Sequence, residues 1–321
     1  MADIDINLLG ELQGLWSSKN WVFQTEETKA TAFNNLCAMF ALLSPPQQQL
    51  VLRLTQSYSL HSYTGYQSLL IHAFAKITNS QIGNADQIIL APLINSGDDK
   101  FKRSKSGHLL PYIAEHVAIP LHQNMKSLKI VSLVSPDAIP NFLSEEKKSL
   151  IILLDDFIGS GDTAKTAVQH LEININNSRV DKNRGAQNKS FISRLINKVK
   201  QACKTYRPYK IGFNDNYEIL VVGLVAMNHA VKRLSTFNIH VLSAEEIYKG
   251  IEENQAITDK AWAYKLIDEV EATLKINRDE RRGYMKSEAL LTMIRTPDNT
   301  FPIYWCKTQN NGSSWPAPFP R

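Results

Sequence analysis

Cysteine is scarce. Cys37, Cys203 and Cys306 are the only three in 321 residues, and they lie far apart. None is in CxxC or Cys/His spacing, so neither a disulfide framework nor a zinc site is expected, and a reducing cytoplasm fits best. Long apolar runs are also missing. No stretch of about 18 uncharged apolar residues occurs, which argues against a transmembrane helix. The first residues, MADIDINLLGEL, lack the basic region and apolar run of a secretion signal. There is no GK[ST] phosphate loop of the Walker type, no GxGxxG fingerprint and no internal repeat.

What is present is an ordinary globular balance, 43% apolar and 21% charged, long enough for a substantial core. The net charge of +5 is uneven. Residues 178–210 hold ten Lys and Arg against the single acid Asp181, so this segment is +9 and the remainder of the chain is −4. The basic character belongs to one insertion.

Hydrophobic periodicity divides the chain. Residues 1–84 read as a helical region, with Phe33, Leu36, Cys37, Phe40 and Leu43 at helical intervals and Ser44-Pro45-Pro46 opening a new helix. Residues 85–250 alternate apolar strands with helices. The strands are expected at Gln87–Leu93, Lys129–Val134, Leu150–Leu154, Tyr217–Val225 and Asn238–Leu242, with helices at Gly107–Val117 and Thr163–Ile175. Uninterrupted apolar strands alternating with helices indicate an α/β fold with a parallel sheet covered on both faces. The basic insertion, residues 176–212, is too long for an ordinary connection, and its Ser190–Lys204 part places Phe191, Leu195, Ile196 and Val199 on one helical face. Residues 251–321 read as a C-terminal extension. Its first part, 257–293, is expected to be mainly helical, and its tail is rich in proline and aromatics.

The chemistry concentrates in Ile151–Thr163, IILLDDFIGSGDT. Gly159 and Gly161 allow a tight turn and a close approach to a ligand. Successive backbone N–H groups and the helix N-terminus that follows form an anion site, to which Ser160 and Thr163 add hydroxyl donors. Asp155 and Asp156 stand at the carboxyl end of a strand, where open α/β sheets bind ligands. Adjacent carboxylates there suit two vicinal sugar hydroxyls, so a sugar phosphate is the expected ligand. The bland alternative is a Gly-rich turn with solvated acids.

This stretch resembles the thirteen-residue phosphoribosyl pyrophosphate motif of type I phosphoribosyltransferases. The resemblance implies that Asp155 and Asp156 hold the ribose, with Asp155 and Asp156 as the catalytic pair. It implies that Gly159, Ser160, Gly161, Asp162 and Thr163 hold the 5′-phosphate. It further implies a pyrophosphate loop, for which Asn95, Ser96 and Gly97 after the first core strand are candidates. Mg²⁺ would arrive with the pyrophosphate-bearing ligand; no protein metal site is expected. A hood over the site is expected from Ser135–Ser149 or from the terminal regions. Purine-salvage members carry an acid at the position of Gly159, so that role is unfilled here.

Over its whole length the chain is similar to a narrower group, the bacterial phosphoribosyltransferase-like conflict effectors (PRTase-CE). Gly283-Tyr284, Thr296-Pro297-Asp298-Asn299-Thr300, Pro302-Ile303-Tyr304-Trp305, Trp315 and Phe319-Pro320-Arg321 carry that likeness. It implies a toxic effector in anti-phage defence, of retron type or similar. The partners implied are phosphoribosyl pyrophosphate or a nucleotide, and a reverse transcriptase with its nucleic acid; a homo-oligomer is also open. The alternative is a non-catalytic sensing or scaffolding subunit. Enzymatic activity, as a phosphoribosyltransferase or a glycosidic-bond-cleaving enzyme, stays open.

Other residues carry two readings each. His108 and the cations Lys100, Lys102, Arg103 and Lys105 suit a pyrophosphate or a solvated loop. Asp98 and Asp99 suit hydrated Mg²⁺ or plain solvent. His229 follows the fourth core strand on the ligand side. Tyr304, Trp305, Trp315 and Phe319 suit a nucleobase stack or a strap over an apolar groove. Arg321 reads as a solvated chain end. The basic helix suits a nucleic-acid backbone, an acidic partner or solvent.

Overall fold

The computed structural model describes residues 6–94, 108–183 and 216–321. The candidates Asn95, Ser96, Gly97, Asp98, Asp99, Lys100, Lys102, Arg103 and Lys105, and the basic helix Ser190–Lys204, lie outside the described residues.

Five parallel strands make the main sheet: β2 (Gln87–Pro92), β3 (Lys129–Ser132), β4 (Ser149–Ile158), β5 (Tyr217–Met227) and β6 (His240–Ile247), in the order β3-β2-β4-β5-β6. A two-residue strand β1 (Ser59–Leu60) pairs with β7 (Leu291–Thr292) in a separate parallel ribbon. The expected α/β parallel sheet is therefore present. Its central strands are apolar along their whole length because both faces are covered. Leu150 to Leu154 and Leu220 to Val222 are fully buried. Helix α4 (Tyr63–Ala75) packs on β5 and β6.

The chain passes from β2 outward to β3, then crosses back to β4 on the other side of β2. The order of travel reverses between β2 and β4. In open parallel sheets that reversal leaves a crevice at the carboxyl ends of the two strands, where ligands bind.

Several boundaries differ from the sequence expectation. Strand β4 does not stop at Leu154 but continues through Asp155 and Asp156 to Ile158, paired with β5 as far as Ala226. Beside β2 it is paired only as far as Leu154. Helix α8 (Asp162–Asn183) begins one residue earlier than expected and runs well past Ile175. The helix expected at 107–117 is a composite of α6 (Leu110–Ile113), a π turn (Ala114–Ala118) and α7 (Ile119–Leu121). Pro111 falls in its first turn, where a missing N–H costs little. Pro120 falls further along, and the wider π turn before it accommodates the ring. The region 257–293 is not mainly helical. One helix, α10 (Lys260–Glu271), forms there, preceded in the chain by α9 (Asn228–Ser235). After α10 come short 3₁₀ turns. Five residues between Arg282 and Glu288 have left-handed φ, and four of them (Arg282, Met285, Lys286, Glu288) are not glycine. Side chains disfavour that conformation, so surrounding contacts must hold it.

Buried apolar residues form two clusters. One is the sheet with α4, α6, α8 and α9 around it. The other joins helices α1 (Ile6–Ser18), α2 (Glu26–Ala41) and α3 (Pro45–Gln56) to α10 and the tail. Helix α3 opens on Ser44, whose backbone N–H donates to Gln47 Oε1 at 3.0 Å in a capping box. The tail aromatics belong to this second core. Tyr304 is fully buried and its hydroxyl lies 2.9 Å from Thr55 Oγ1. Trp315 Nε1 donates to Ile303 O at 2.9 Å, and Phe319 stacks on Tyr58 at 4.7 Å. Of the two readings for these rings, the structure supports the strap. Arg321 is not simply solvated. It lies 3.4 Å from Asp298 and over the Trp305 ring.

Candidate functional site

The last four residues of β4 extend beyond β2 into the crevice at the switch point. Extended backbone turns successive side chains to opposite sides, so Asp155 and Asp156 diverge. Asp156 faces α4. Tyr66 donates its hydroxyl to Asp156 Oδ2 at 2.9 Å, and the same hydroxyl accepts the Ile294 N–H at 3.2 Å. Burial first, and the Asp156 charge second, push the Tyr66 phenol far above its usual range. It is therefore a permanent neutral donor at this carboxylate. Asp155 Oδ1 accepts the Asp156 N–H at 3.0 Å, which turns it back along the strand. Both carboxylates are half-buried.

The chain then turns through Gly159, Ser160 and Gly161 into α8. Gly161 has φ +80°, and a Cβ there would meet Leu234 Cγ of α9 at 3.1 Å, so both backbone and packing call for glycine. The first α-helical hydrogen bond runs from Lys165 N to Gly161 O at 2.9 Å. The N–H groups of the preceding turn have no partner within the helix. Ser160 Oγ donates to Asp162 Oδ2 at 3.2 Å and accepts the Asp162 N–H at 3.3 Å.

Arg233 of α9 braces this loop from behind. It donates to Ser160 O at 3.0 Å and to Asp162 Oδ1 at 2.7 Å. The Asp162 carboxylate thus accepts from Ser160 and Arg233, and the guanidinium offsets its charge. Thr163 sits half-buried in the first turn of α8.

Gly159 has a different neighbour. It is buried, and a Cβ there would lie 2.6 Å from Asn299 Nδ2 and nearer still to Oδ1 and Cγ. The space that a side chain at 159 would take is filled from the C-terminal region. Asn299 Nδ2 donates to Ser287 Oγ at 2.9 Å and to Tyr284 O at 3.3 Å. These acceptors fix which end of the amide is nitrogen.

The structure thus brings Asp155, Asp156, Gly159, Ser160, Gly161, Asp162 and Thr163 to one end of the sheet. His108 lies at the entrance to α6. His229 opens α9, and burial, with Lys249 and Arg233 adding to it against Glu253, lowers its imidazole below the usual range. Sequence reading missed Tyr66, Arg233 and Asn299. Tyr66 lies in an apolar helical run and Arg233 in an ordinary Lys-Arg pair, so nothing local marked them. Asn299 stood in the Thr296–Thr300 stretch noted for its likeness, but no spacing tied it to Gly159.

A parallel sheet with an Asp-Asp strand end and a Gly-Ser-Gly turn at its switch point defines a phosphoribosyltransferase-like α/β protein. The family model PRTase-CE matches residues 44–321, from the cap of α3 through the tail, and the chain belongs to the PRTase-CE family. No curated protein matches. Among solved structures, the chain is similar to Helicobacter pylori xanthine-guanine-hypoxanthine phosphoribosyltransferase at 7% identity. The match covers 60% of this chain and 86% of that one, with a TM-score of 0.27, too distant to add to the geometry. Among the described residues no helix is long and apolar enough to cross a membrane.

Proposed function

We propose that this protein binds the ribose 5-phosphate part of phosphoribosyl pyrophosphate or of a nucleotide at the end of β4. The observation that carries this reading is the strand end at the switch point. Asp155 and Asp156 of β4 extend beyond the last residue paired with β2, and the turn Gly159–Gly161 leads from them directly into the N-terminus of α8. The carboxylates accept the two ribose hydroxyls. The N–H groups of 159–163, with the hydroxyls of Ser160 and Thr163, take the phosphate. Tyr66 keeps Asp156 aimed, because its hydroxyl donates to Oδ2.

Mg²⁺ fits this site as a ligand-borne ion. Among the described residues no group of three His, Cys, Asp or Glu could hold a metal by itself. Mg²⁺ characteristically takes one or two carboxylates together with ligand phosphates and water. Asp155 or Asp156 would supply that share, and the ion would offset pyrophosphate charge. The protein's own part is to position the donor and to stabilise charge around C1′.

In cellular terms the reading is a toxic effector of an anti-phage system, of retron type or similar, held in check by a partner such as a reverse transcriptase with its nucleic acid. The acceptor would be a base, water or a macromolecule. A second reading, a sensor without catalysis, is favoured by one observation. The neutral Asn299 amide at Gly159 can neither give nor take a proton. Pyrophosphate release by the purified protein separates the two: release supports the enzyme, and tight binding without release supports the sensor. Asp155→Asn with Asp156→Asn is expected to lower affinity for phosphoribosyl pyrophosphate with Mg²⁺ at least a hundredfold by calorimetry, the scale of two lost charge-assisted hydrogen bonds. Unchanged affinity would remove this site from consideration.

A further inference from the structure

The C-terminal region reaches the phosphate turn at one point, and that point is built with unusual care. Asn299 is nine-tenths buried. Its side-chain nitrogen is held by Ser287 and Tyr284. Its backbone oxygen accepts the Ala289 N–H at 3.0 Å, and the Tyr284 N–H donates to the neighbouring Asp298 O at 2.7 Å. The left-handed turn at 282–288 therefore wraps around it. At Gly283 a Cβ would collide with the Asn299 backbone carbonyl. Next in the chain, Thr300 Oγ1 donates to Leu291 O at 2.7 Å. A rotamer this constrained delivers the carboxamide to a single place, the face of Gly159.

A glycine in a turn is the position most free to move, and Gly159 is the first residue of the turn. With the amide standing against it, that freedom is removed from outside rather than by a side chain of its own. We propose that Asn299 is a positioning residue for the phosphate turn. It fixes the Gly159 backbone so that the N–H groups of 159–163 converge on one phosphate. This inference rests on the ribose 5-phosphate reading for its ligand, but the positioning itself can be measured without one.

Two substitutions follow from the shared space. Asn299→Ala removes the wedge. Gly159→Ala drives a methyl into it, and adding Asn299→Gly makes room for that methyl. With ribose 5-phosphate as the probe, Asn299→Ala and Gly159→Ala are each expected to weaken binding roughly ten- to a hundredfold, the scale of a displaced contact set. Because both substitutions act on one shared space, the double variant Gly159→Ala with Asn299→Gly should bind no more weakly than the weaker of the two single variants. In the ligand-free protein, the ¹⁵N amide resonances of Gly159 and Gly161 should shift and broaden in Asn299→Ala while the Tyr217–Met227 strand stays unchanged. Undisturbed glycine resonances in Asn299→Ala, or losses that multiply in the double variant as for independent sites, would overturn the proposal. Failure of the wild-type protein to bind ribose 5-phosphate, with the glycine resonances still responding, would sink the ligand reading and leave the positioning role standing.

Discussion

Glu271 is a carboxyl sealed from solvent. It is fully buried, its Oε2 accepts the Arg282 N–H at 2.7 Å, and its Oε1 has no hydrogen-bond partner among the described residues. Burial pushes its carboxyl up to about 8, with the Asp268 charge adding to the shift and Arg282 and Arg281 opposing it. A carboxyl that holds its proton more tightly folded than unfolded favours the fold while pH is low. That contribution is full below its unfolded value and declines as pH rises from there to about 8. Glu271→Gln cannot ionise. Its melting temperature should therefore exceed that of the wild type at pH 8.5 and match it closely at pH 4.5. Parallel melting curves for the two proteins across that range would show that Glu271 does not carry this slope. At this scale the sequence marked one half of the candidate site. Asp155, Asp156 and the turn to Thr163 are contiguous, so they could be picked out in one line. Tyr66, Arg233 and Asn299 meet that line only after the chain has folded.

At the scale of elements, the helix behind the phosphate turn has its own role. Helix α9 lies on β5 and β6 and presents Arg233 to Ser160 and Asp162. The pair is about one-third exposed on each side, so its direct worth to stability is small, roughly 1 kcal/mol or less. Its larger effect is on the turn, because without it Asp162 would present an uncompensated negative charge beside the phosphate of the proposed ligand. Arg233→Ala should lower the melting temperature only slightly yet weaken ribose 5-phosphate binding about tenfold, read by calorimetry. Adding Asp162→Asn should recover part of that loss, and a double variant no better than Arg233→Ala would contradict this account. Element boundaries also show what sequence pattern can and cannot carry. The apolar run Leu150–Leu154 marked β4, but its continuation to Ile158 depends on pairing with β5, which no pattern in 155–158 announces. The excess helix expected in 257–293 has a similar cause. Helix α10 itself packs on α3 and the tail, and beyond its end Leu274 and Leu290 join the same core from non-helical segments.

For the whole molecule, the two cores are the main fact. The sheet was legible because buried parallel strands are apolar throughout. The second core was not, since it joins the first sixty residues to the last seventy, and neither part signals the other. Trp315 is central to it, 5% exposed and hydrogen-bonded to Ile303 O. Trp315→Ala should cost about 3–5 kcal/mol in denaturant unfolding, as buried tryptophan truncations do. A loss under about 1 kcal/mol would mean that the tail is not part of the cooperative fold. The same region supplies Asn299 and the Ile294 N–H, so the site stands with one side on each core.

That arrangement imposes an order on synthesis. The ribosome makes Asp155, Asp156 and the phosphate turn well before it makes Asn299. Domains begin to fold as they emerge, N-terminal parts first. During translation the sheet can assemble with Arg233 already behind the turn, and the wedge against Gly159 arrives only when the C-terminal region follows. Premature stops or frameshifts between β6 and Asn299 would yield a chain with the Asp155–Asp156 strand end in place and its Gly159 turn lacking that wedge. Under the proposed effector reading, interrupted messages would then be safe by construction.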